Sequence, residues 1–333
     1  MKWKLWQKVM HQDEFKDNME IVTFGESMVL FNPDTTGPLR YVHNFNKSIA
    51  GAESNVAIAL ARLGHHVGWF SKIGDDEFGR YIKAIIRGEG VDVSRVVTDP
   101  HNNTGLLFKE RFAHVNPNVY YYRKNSAASN MVIKDLDFDY IKSSKILHVT
   151  GITLALSPSA RETVFKAVEF AKANNVLVSF DPNIRLKLWR IEEARPTLLE
   201  MAKLADIIFP GQDEGRLLLG TEDPKEIARE FLDMGCKIVA VKLGKEGCYL
   251  AKQEEDEFVT GYIVEKPEDT VGAGDGFAAG FLSGVLQNFS LRGCGQLANA
   301  VGAMATLVRG DMEGFPTLQQ VQRFMGTEEY IDR

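Results

Sequence analysis

The chain has 333 residues, 25% charged and 44% hydrophobic, with a net charge of -6. That length buries an ample core as one large α/β domain or two small ones, and the acidic balance gives no reason to expect nucleic acid or an anionic membrane as partner. No apolar run approaches the ~20 residues of a membrane span, and the three cysteines, Cys236, Cys248 and Cys294, form neither a CxxC pair nor an even disulfide framework, which fits a reducing cytoplasm.

Residues 1–18 are mixed and charged, with no continuous apolar stretch of the kind a signal peptide needs. Met19 directly precedes the first convincing strand, so 1–18 read as an extension outside the fold. The alternative is a short amphipathic helix built on Trp3, Leu5, Trp6 and Val9. Ile21 to Gly25 reads as a buried strand ending in glycine. Met28 to Phe31 is a strand broken by Asn32-Pro33-Asp34, and Tyr41 to Phe45 alternates as a half-exposed strand does. Ala50-Gly51-Ala52-Glu53-Ser54-Asn55 runs into a small-residue helix that ends at Gly64. Val67 to Gly74 is the next strand, and Asp75 to Gly79 opens a further helix.

Between Thr104 and Ser129 the pattern changes. Leu106-Leu107-Phe108 and Val119-Tyr120-Tyr121-Tyr122 flank a turn-rich centre, Val115 to Asn118, which reads as a β-hairpin. With the strands near Met28 and Tyr41 it predicts a small β-sheet, drawn from about residues 28–46 and 103–128, projecting from the main body. From Ser143 onward strands and helices alternate. The strands are Ile146–Val149, Val176–Phe180, Ala205–Phe209 and Lys237–Gly244, and the helices are Pro158–Ala173, Ala194–Lys203 and Lys225–Met234. Uniformly apolar strands in such alternation predict a mostly parallel sheet covered by helices on both faces. Short strands at Cys248–Leu250 and Phe258–Val259 follow, with Gln253 to Glu257 as a solvated turn. Leu297–Val308 is a helix, and Phe315-Pro316-Thr317 opens the last one.

The stretch Asp269 to Gly280, D-T-V-G-A-G-D-G-F-A-A-G, carries the most chemistry. Its glycines let the backbone curl around a ligand, and the helix that follows offers unpaired N–H groups and a positive dipole end, which suits a phosphate. Asp275 stands inside this anion-seeking turn. A lone acid there is ordinarily a dipole partner or N-cap, but a phosphate cradle holding a base suggests phosphoryl transfer to a hydroxyl. Tyr121 and Arg123 are two apart on a strand and share a side, and Arg185 follows Asp181-Pro182-Asn183. Two arginines reaching one pocket suit a carboxylate.

The string D-T-V-G-A-G-D-G-F resembles the C-terminal signature of the ribokinase-like, PfkB-type sugar kinases. The resemblance spans essentially Glu20 to the final helix. It implies a three-layer α/β/α core with a mostly parallel central sheet and a small β-sheet lid, residues 19–333 forming one kinase domain. Ala50 to Asn55 resembles the N-terminal signature, where Gly51 and Asn55 meet sugar hydroxyls. Lys242-Leu243-Gly244-Lys245-Glu246-Gly247 resembles the K-x-G-x-x-G turn beside the ATP phosphates, and Asn299 and Ala303 resemble positions bordering adenine. Family members often carry N-x-x-E near the metal. Here Gly211 stands at the asparagine position, and Glu214 is implied as an Mg²⁺ contact through water.

Tyr-Tyr-Arg-Lys-Asn-Ser and Asp-Pro-Asn-Ile-Arg look like the 2-keto-3-deoxygluconate kinase branch. There the hairpin tyrosine and arginine and the later arginine hold the sugar acid, which implies those roles for Tyr121, Arg123 and Arg185. A sugar-facing tyrosine of that branch is absent near Leu107. The implied reaction is in-line attack of the terminal hydroxyl on ATP–Mg²⁺, with Asp275 as base and the N–H groups of Gly272, Ala273 and Gly274 stabilising the phosphoryl oxygens. The implied partners are a sugar acid and ATP, with neither nucleic acid nor membrane. Resemblance also implies a homodimer or higher oligomer through the lid and leaves room for a monovalent cation.

The alternatives are a family kinase for fructose, ribose or 5-dehydro-2-deoxygluconate, or a silent sugar-acid sensor on the same fold. An early G-x-G-x-x-G of a dinucleotide-binding oxidoreductase and a G-x-x-x-x-G-K-[ST] loop are both missing.

Overall fold

A computed structural model describes residues 19–112 and 118–327. The two readings of residues 1–18 and most of the hairpin turn, 115–117, lie outside the described residues. In chain order the first part runs β1 (Ile21–Phe24), β2 (Met28–Pro33), β3 (Phe45–Ala50), α1 (Ala52–Arg62), β4 (Val67–Phe70), β5 (Lys72–Gly74), α2 (Glu77–Gly88), β6 (Val97–Asp99), β7 (Leu106–Lys109) and β8 (Val119–Tyr122). Then follow α3 (Phe138–Lys142), β9 (Ile146–Thr150), α4 (Gly151–Leu156), α5 (Pro158–Ala173), β10 (Leu177–Asp181), α6 (Ile191–Ala202), β11 (Ile207–Ile208), α7 (Gln212–Leu219) and α8 (Pro224–Asp233). The last part holds β12 (Ile238–Lys242), β13 (Gly247–Lys252), β14 (Glu255–Thr260), α9 (Ala273–Leu286), α10 (Leu291–Ala305) and α11 (Leu318–Phe324).

The large sheet has the order β14-β13-β12-β11-β10-β9-β1-β4. It is parallel from β12 through β4, and β13 and β14 join antiparallel at one edge. Period-two alternation sends neighbouring residues to opposite faces. Ile21, Trp69, Ile146, Ile207 and Ala240 pack against α1, α2, α9 and α10 on one side. Val22, Phe24, Phe70, Leu147, Val178 and Val239 pack against α5, α6 and α8 on the other. Both faces are therefore apolar and covered, giving the three-layer α/β/α arrangement expected of near-continuous hydrophobic strands.

The small sheet has the order β3-β2-β7-β8. Its β7–β8 hairpin pairs Leu107 with Tyr121, and Phe31 stacks on Phe108 with ring centroids 4.8 Å apart. The strand expected at Tyr41–Phe45 lies later, as β3. The register pairs Phe45 with Pro33, the last residue of β2, so residues 41–44 lie beyond the end of their partner. Leu39–Tyr41 instead forms a 3-10 turn, with the Tyr41 N–H donating to Pro38. Pro33 continues β2 at no cost in hydrogen bonds to β7, which pairs only with Val29 to Phe31.

The single strand expected over Val67–Gly74 divides at Ser71, because β4 joins the large sheet while β5 pairs with β6. Helix α4 precedes the expected Pro158 start, capped by the Thr150 hydroxyl. The edge strands are longer than expected, and Glu255 to Glu257 belong to β14 rather than to a turn.

Phe24 and Phe70 stack at 4.8 Å beneath the α5–α6 layer, both essentially without exposure. Phe70→Ala should lower unfolding free energy by about 3–5 kcal/mol in chemical denaturation.

Candidate active site

The polar residues of the large sheet collect where its parallel strands end, as open α/β sheets require of a ligand site. A cleft of about 1080 Å³ opens there, between these strand ends and the small sheet. β10 ends in Asp181 and β12 in Lys242. The Lys242 Nζ lies 2.9 and 2.8 Å from the two Asp181 oxygens. Burial works against the Lys242 charge, but Asp181 and Glu214 outweigh it and hold the ammonium above its ordinary range.

Asp275 occupies the first turn of α9, behind Gly272 as N-cap. Its carboxylate does not cap the helix. It faces the cleft and accepts from Asn55 Nδ2 of α1 at 2.7 Å and from Asn183 Nδ2 at 3.5 Å. Burial pushes the Asp275 carboxyl up to about 7. The Asn55 hydrogen bond opposes the rise, the Asp181 charge adds to it, and the Arg185 and Lys242 charges also oppose it. Asp311, also lining the cleft, is raised to about 7 by burial against the pull of Lys109.

Gly272 has φ +80, and a Cβ there would stand 2.2 Å from the Asp311 carbonyl oxygen, so two independent constraints demand glycine. The N–H groups of Gly272 and Gly274 have no hydrogen-bond partner among the described residues, whereas Ala273 N–H reaches Thr270 O at 3.4 Å. Ala273 does not line the cleft, while Gly272 and Gly274 do. The unpaired N–H groups that face the cleft are therefore those of the two glycines, at the positive end of the helix dipole, which suits an anion.

Of the residues expected to hold the acceptor, Gly51, Asn55, Tyr121, Arg123 and Arg185 all line the cleft. Gly51 also has a packing reason, since a Cβ would come 2.5 Å from the Glu26 carbonyl oxygen. Arg123 is not an unpaired buried cation. Its Nε lies 2.6 Å from Glu26 Oε2, and Ser126 donates to the other Glu26 oxygen. Arg185 has no acidic partner among the described residues. Lys187, two residues on, lies 3.5 Å from the Val119 carbonyl oxygen and 6.0 Å from the Tyr121 ring centre, with Arg123 5.6 Å from that ring.

Of the residues expected beside the nucleotide, Lys242 and Gly244 line the cleft, but Gly247 and Asn299 do not. Gly247 has φ +118 and leaves a Cβ only 2.1 Å from the Val259 carbonyl oxygen, so it serves the β13–β14 edge. Asn299 Nδ2 donates to Val259 O at 3.1 Å and Thr260 O at 3.2 Å. Both residues hold the wall behind the turn.

Glu214, third residue of α7, accepts from Gly211 N–H at 2.7 Å and from Ile184 N–H at 2.9 Å. Desolvation raises its carboxyl despite the opposing Lys242 charge. Among the described residues no cluster of three His, Cys, Asp or Glu suits a metal cage. This donor set fits a magnesium ion carried mainly by nucleotide phosphates and water, for which Glu214 would be the protein's contact.

A signature of "pfkB family carbohydrate kinase" matches residues 18–318. The chain belongs to the pfkB family of carbohydrate kinases. It is 43% identical over 315 residues to the 2-dehydro-3-deoxygluconokinase of Bacillus subtilis (strain 168), covering 94% of this chain and 97% of that one. It is 38% identical over 311 residues to the enzyme of the same name from Thermoproteus tenax, covering 92% and 94%. Among solved structures it resembles a putative ribokinase II from E. coli in complex with ATP and Mg²⁺, with TM-score 0.86 and 30% identity, covering 93% of this chain and 100% of that one. The three-layer core with a separate small sheet is the architecture of this pfkB kinase's ribokinase-like neighbours.

Two cleft-lining residues escape a reading of this kinase's sequence alone. Glu26 follows the first strand and could have been flagged as an acid at a strand end. Lys187 sits in Leu-Lys-Leu-Trp, where alternation reads as a surface lysine.

Removing the Glu214 carboxylate strands two backbone donors, so Glu214→Ala should lose about 1–3 kcal/mol of stability in denaturant titration. Gly211→Asn should keep its melting temperature, since the nearest atom to a Cβ there is Glu214 Oε2 at an ordinary 3.5 Å.

Proposed function

We propose that this pfkB kinase transfers the γ-phosphoryl group of ATP to the terminal (C6) hydroxyl of 2-keto-3-deoxygluconate, giving 2-keto-3-deoxy-6-phosphogluconate and ADP. One observation carries the acid preference: Arg185 faces the same cleft as Asp275, acts on its charge, and has no acidic partner among the described residues. Lys187 adds a second cation beside it. Two such cations favour an anionic acceptor and gain little from a neutral sugar. The names of the two relatives support the same reading.

In this reading Gly51, Asn55 and Tyr121 hold the acceptor, with Arg123 keeping Tyr121 in position and Arg185 binding the carboxylate. Asp275 takes the proton of the terminal hydroxyl. The new bond forms between that oxygen and the γ-phosphorus while the bridging β–γ P–O bond breaks, and the electron pair leaves with ADP. The N–H groups of Gly272, Ala273 and Gly274 face the charge on the transferred group, Ala273 contributing least because of its contact to Thr270. Lys242 and Gly244 border the phosphates, and Gly247 and Asn299 support that border from behind. Magnesium, when bound, screens the phosphate charge; the ATP- and Mg²⁺-bound neighbour supports both ligands here.

The proposal includes a single kinase domain from residue 19 and a cytoplasmic setting. It also includes a homodimer or higher oligomer through the small sheet, where Tyr41, Tyr120 and Tyr122 are exposed. A monovalent cation belongs to the reading only as an activator to be assayed with K⁺ against Na⁺.

A coupled ADP-release assay across sugar acids and neutral sugars should favour the sugar acid; preference for fructose would overturn the assignment. Arg185→Met should raise the acceptor KM about 10–100-fold with a smaller change in kcat, as expected for losing a charged hydrogen bond. Asp275→Asn should lower kcat about 10²–10⁴-fold with the fold intact. Because burial raises the Asp275 carboxyl to about 7, its protonated form cannot accept the proton. The wild-type kcat/KM should therefore fall about tenfold per pH unit below that value.

A further inference from the structure

Lys109, the last residue of β7, joins the small sheet to the phosphate-binding turn. Its Nζ lies 2.5 Å from Asp269 Oδ2, and the two side chains are only 12% and 14% exposed. This contact spans 160 residues of sequence, so it records how two separate units of the fold meet. The other oxygen of Asp269, Oδ1, accepts the Val271 N–H at 3.2 Å. One carboxylate thus answers to the small sheet on one side and shapes the turn into Gly272 on the other. A second contact of the same kind lies nearby: Arg309 Nη2 reaches the carbonyl of Pro33, the end of β2, at 3.4 Å.

The charge balance of this turn gives the ion pair its significance. Asp269, Asp275 and Asp311 stand around a cradle that must admit a triphosphate, and each carboxylate repels it. Of these, Asp275 and Asp311 line the cleft, and Asp269 does not. Lys109 does not line the cleft either; its ammonium pairs directly with Asp269 and also pulls on the Asp311 carboxyl. The pair is enclosed by protein, and solvent ions screen it far less than they would a surface pair.

We propose that Lys109 is a positioning residue for phosphoryl transfer. Carried by the small sheet, its ammonium neutralises Asp269 and fixes the turn that presents the Gly272 and Gly274 N–H groups, so nucleotide binding depends on a strand of the acceptor-side sheet. The inference rests on the phosphoryl-transfer reading of the cleft but not on the identity of the acceptor.

The test compares wild type, Lys109→Met, Lys109→Arg, Asp269→Asn and the Lys109→Met/Asp269→Asn double variant. MgATP affinity is measured by calorimetry without acceptor, alongside steady-state rates and melting temperatures. Lys109→Met should weaken MgATP binding about tenfold and lower kcat by a similar factor, while leaving the acceptor KM within about twofold. Lys109→Arg, which keeps the charge, should recover most of the loss. The double variant should be no worse than Asp269→Asn, because the two residues act as one unit. Wild-type MgATP affinity and kcat in Lys109→Met would overturn the proposal, as would losses that multiply in the double variant or a failure of arginine to rescue. A wrong acceptor would leave the calorimetric result unchanged. A wild type that does not bind MgATP would instead remove the kinase reading and this inference together.

Discussion

A carboxylate is kept out of bulk water at the positive end of a helix, held by an amide from the other half of the chain. The Asn55–Asp275 hydrogen bond links α1 to α9 across 220 residues, and the cleft is arranged about it. Desolvation raises the Asp275 carboxyl to about 7, so it holds a proton firmly enough to take one up and release it near neutral pH, as the proposed general base must. The helix dipole and the glycine N–H groups beside it make the same spot receptive to phosphate. A base and an anion cradle would ordinarily repel each other's ligands. Here they share one helix turn because two cations approach from elsewhere, Lys242 at the end of β12 and Arg185 from the loop after β10.

Those approaches depend on the double-faced sheet. Each parallel strand alternates its apolar residues between two helical layers, so the polar residues open to a ligand gather at the strand ends. Asp181 and Lys242 terminate neighbouring regions of the sheet, and their ion pair is half-enclosed by the layers on both sides. The small sheet supplies what the large one cannot, a second wall bearing Tyr121 and Arg123 with Glu26 behind it. Arg123 is then better understood as part of that wall than as a free anion receptor.

Much of this was legible in the residues. The helix from Pro158 to Ala173 carries its own start signal, and the Asp269–Gly280 string announces both the turn and the base. What escaped was set by partners distant in sequence. Tyr41 to Phe45 alternates correctly for a strand, but a strand also needs a partner of matching length, and β2 ends at Pro33. Val67 to Gly74 reads as one run because nothing local shows that Ser71 passes from one sheet to another. Asn299 looks like a free polar group on a helix until β14 is seen to take both its donors. Lys109 and Asp269 are unremarkable singly; only the packing of the small sheet on the turn makes them a pair.

Glu214 has one more consequence. Its two oxygens staple the segment that begins at Ile184, which bears Arg185 and Lys187, to Gly211, which bridges to Lys242. In the proposed reading, the receptor for the acceptor's charge and the lysine beside the phosphates thus hang from a single carboxylate. Two ligands that each tighten this staple share a coupling free energy, and thermodynamic reciprocity makes the help mutual. The acceptor and the nucleotide would each bind more firmly in the presence of the other, by the same factor, through the protein as well as through the atoms that react.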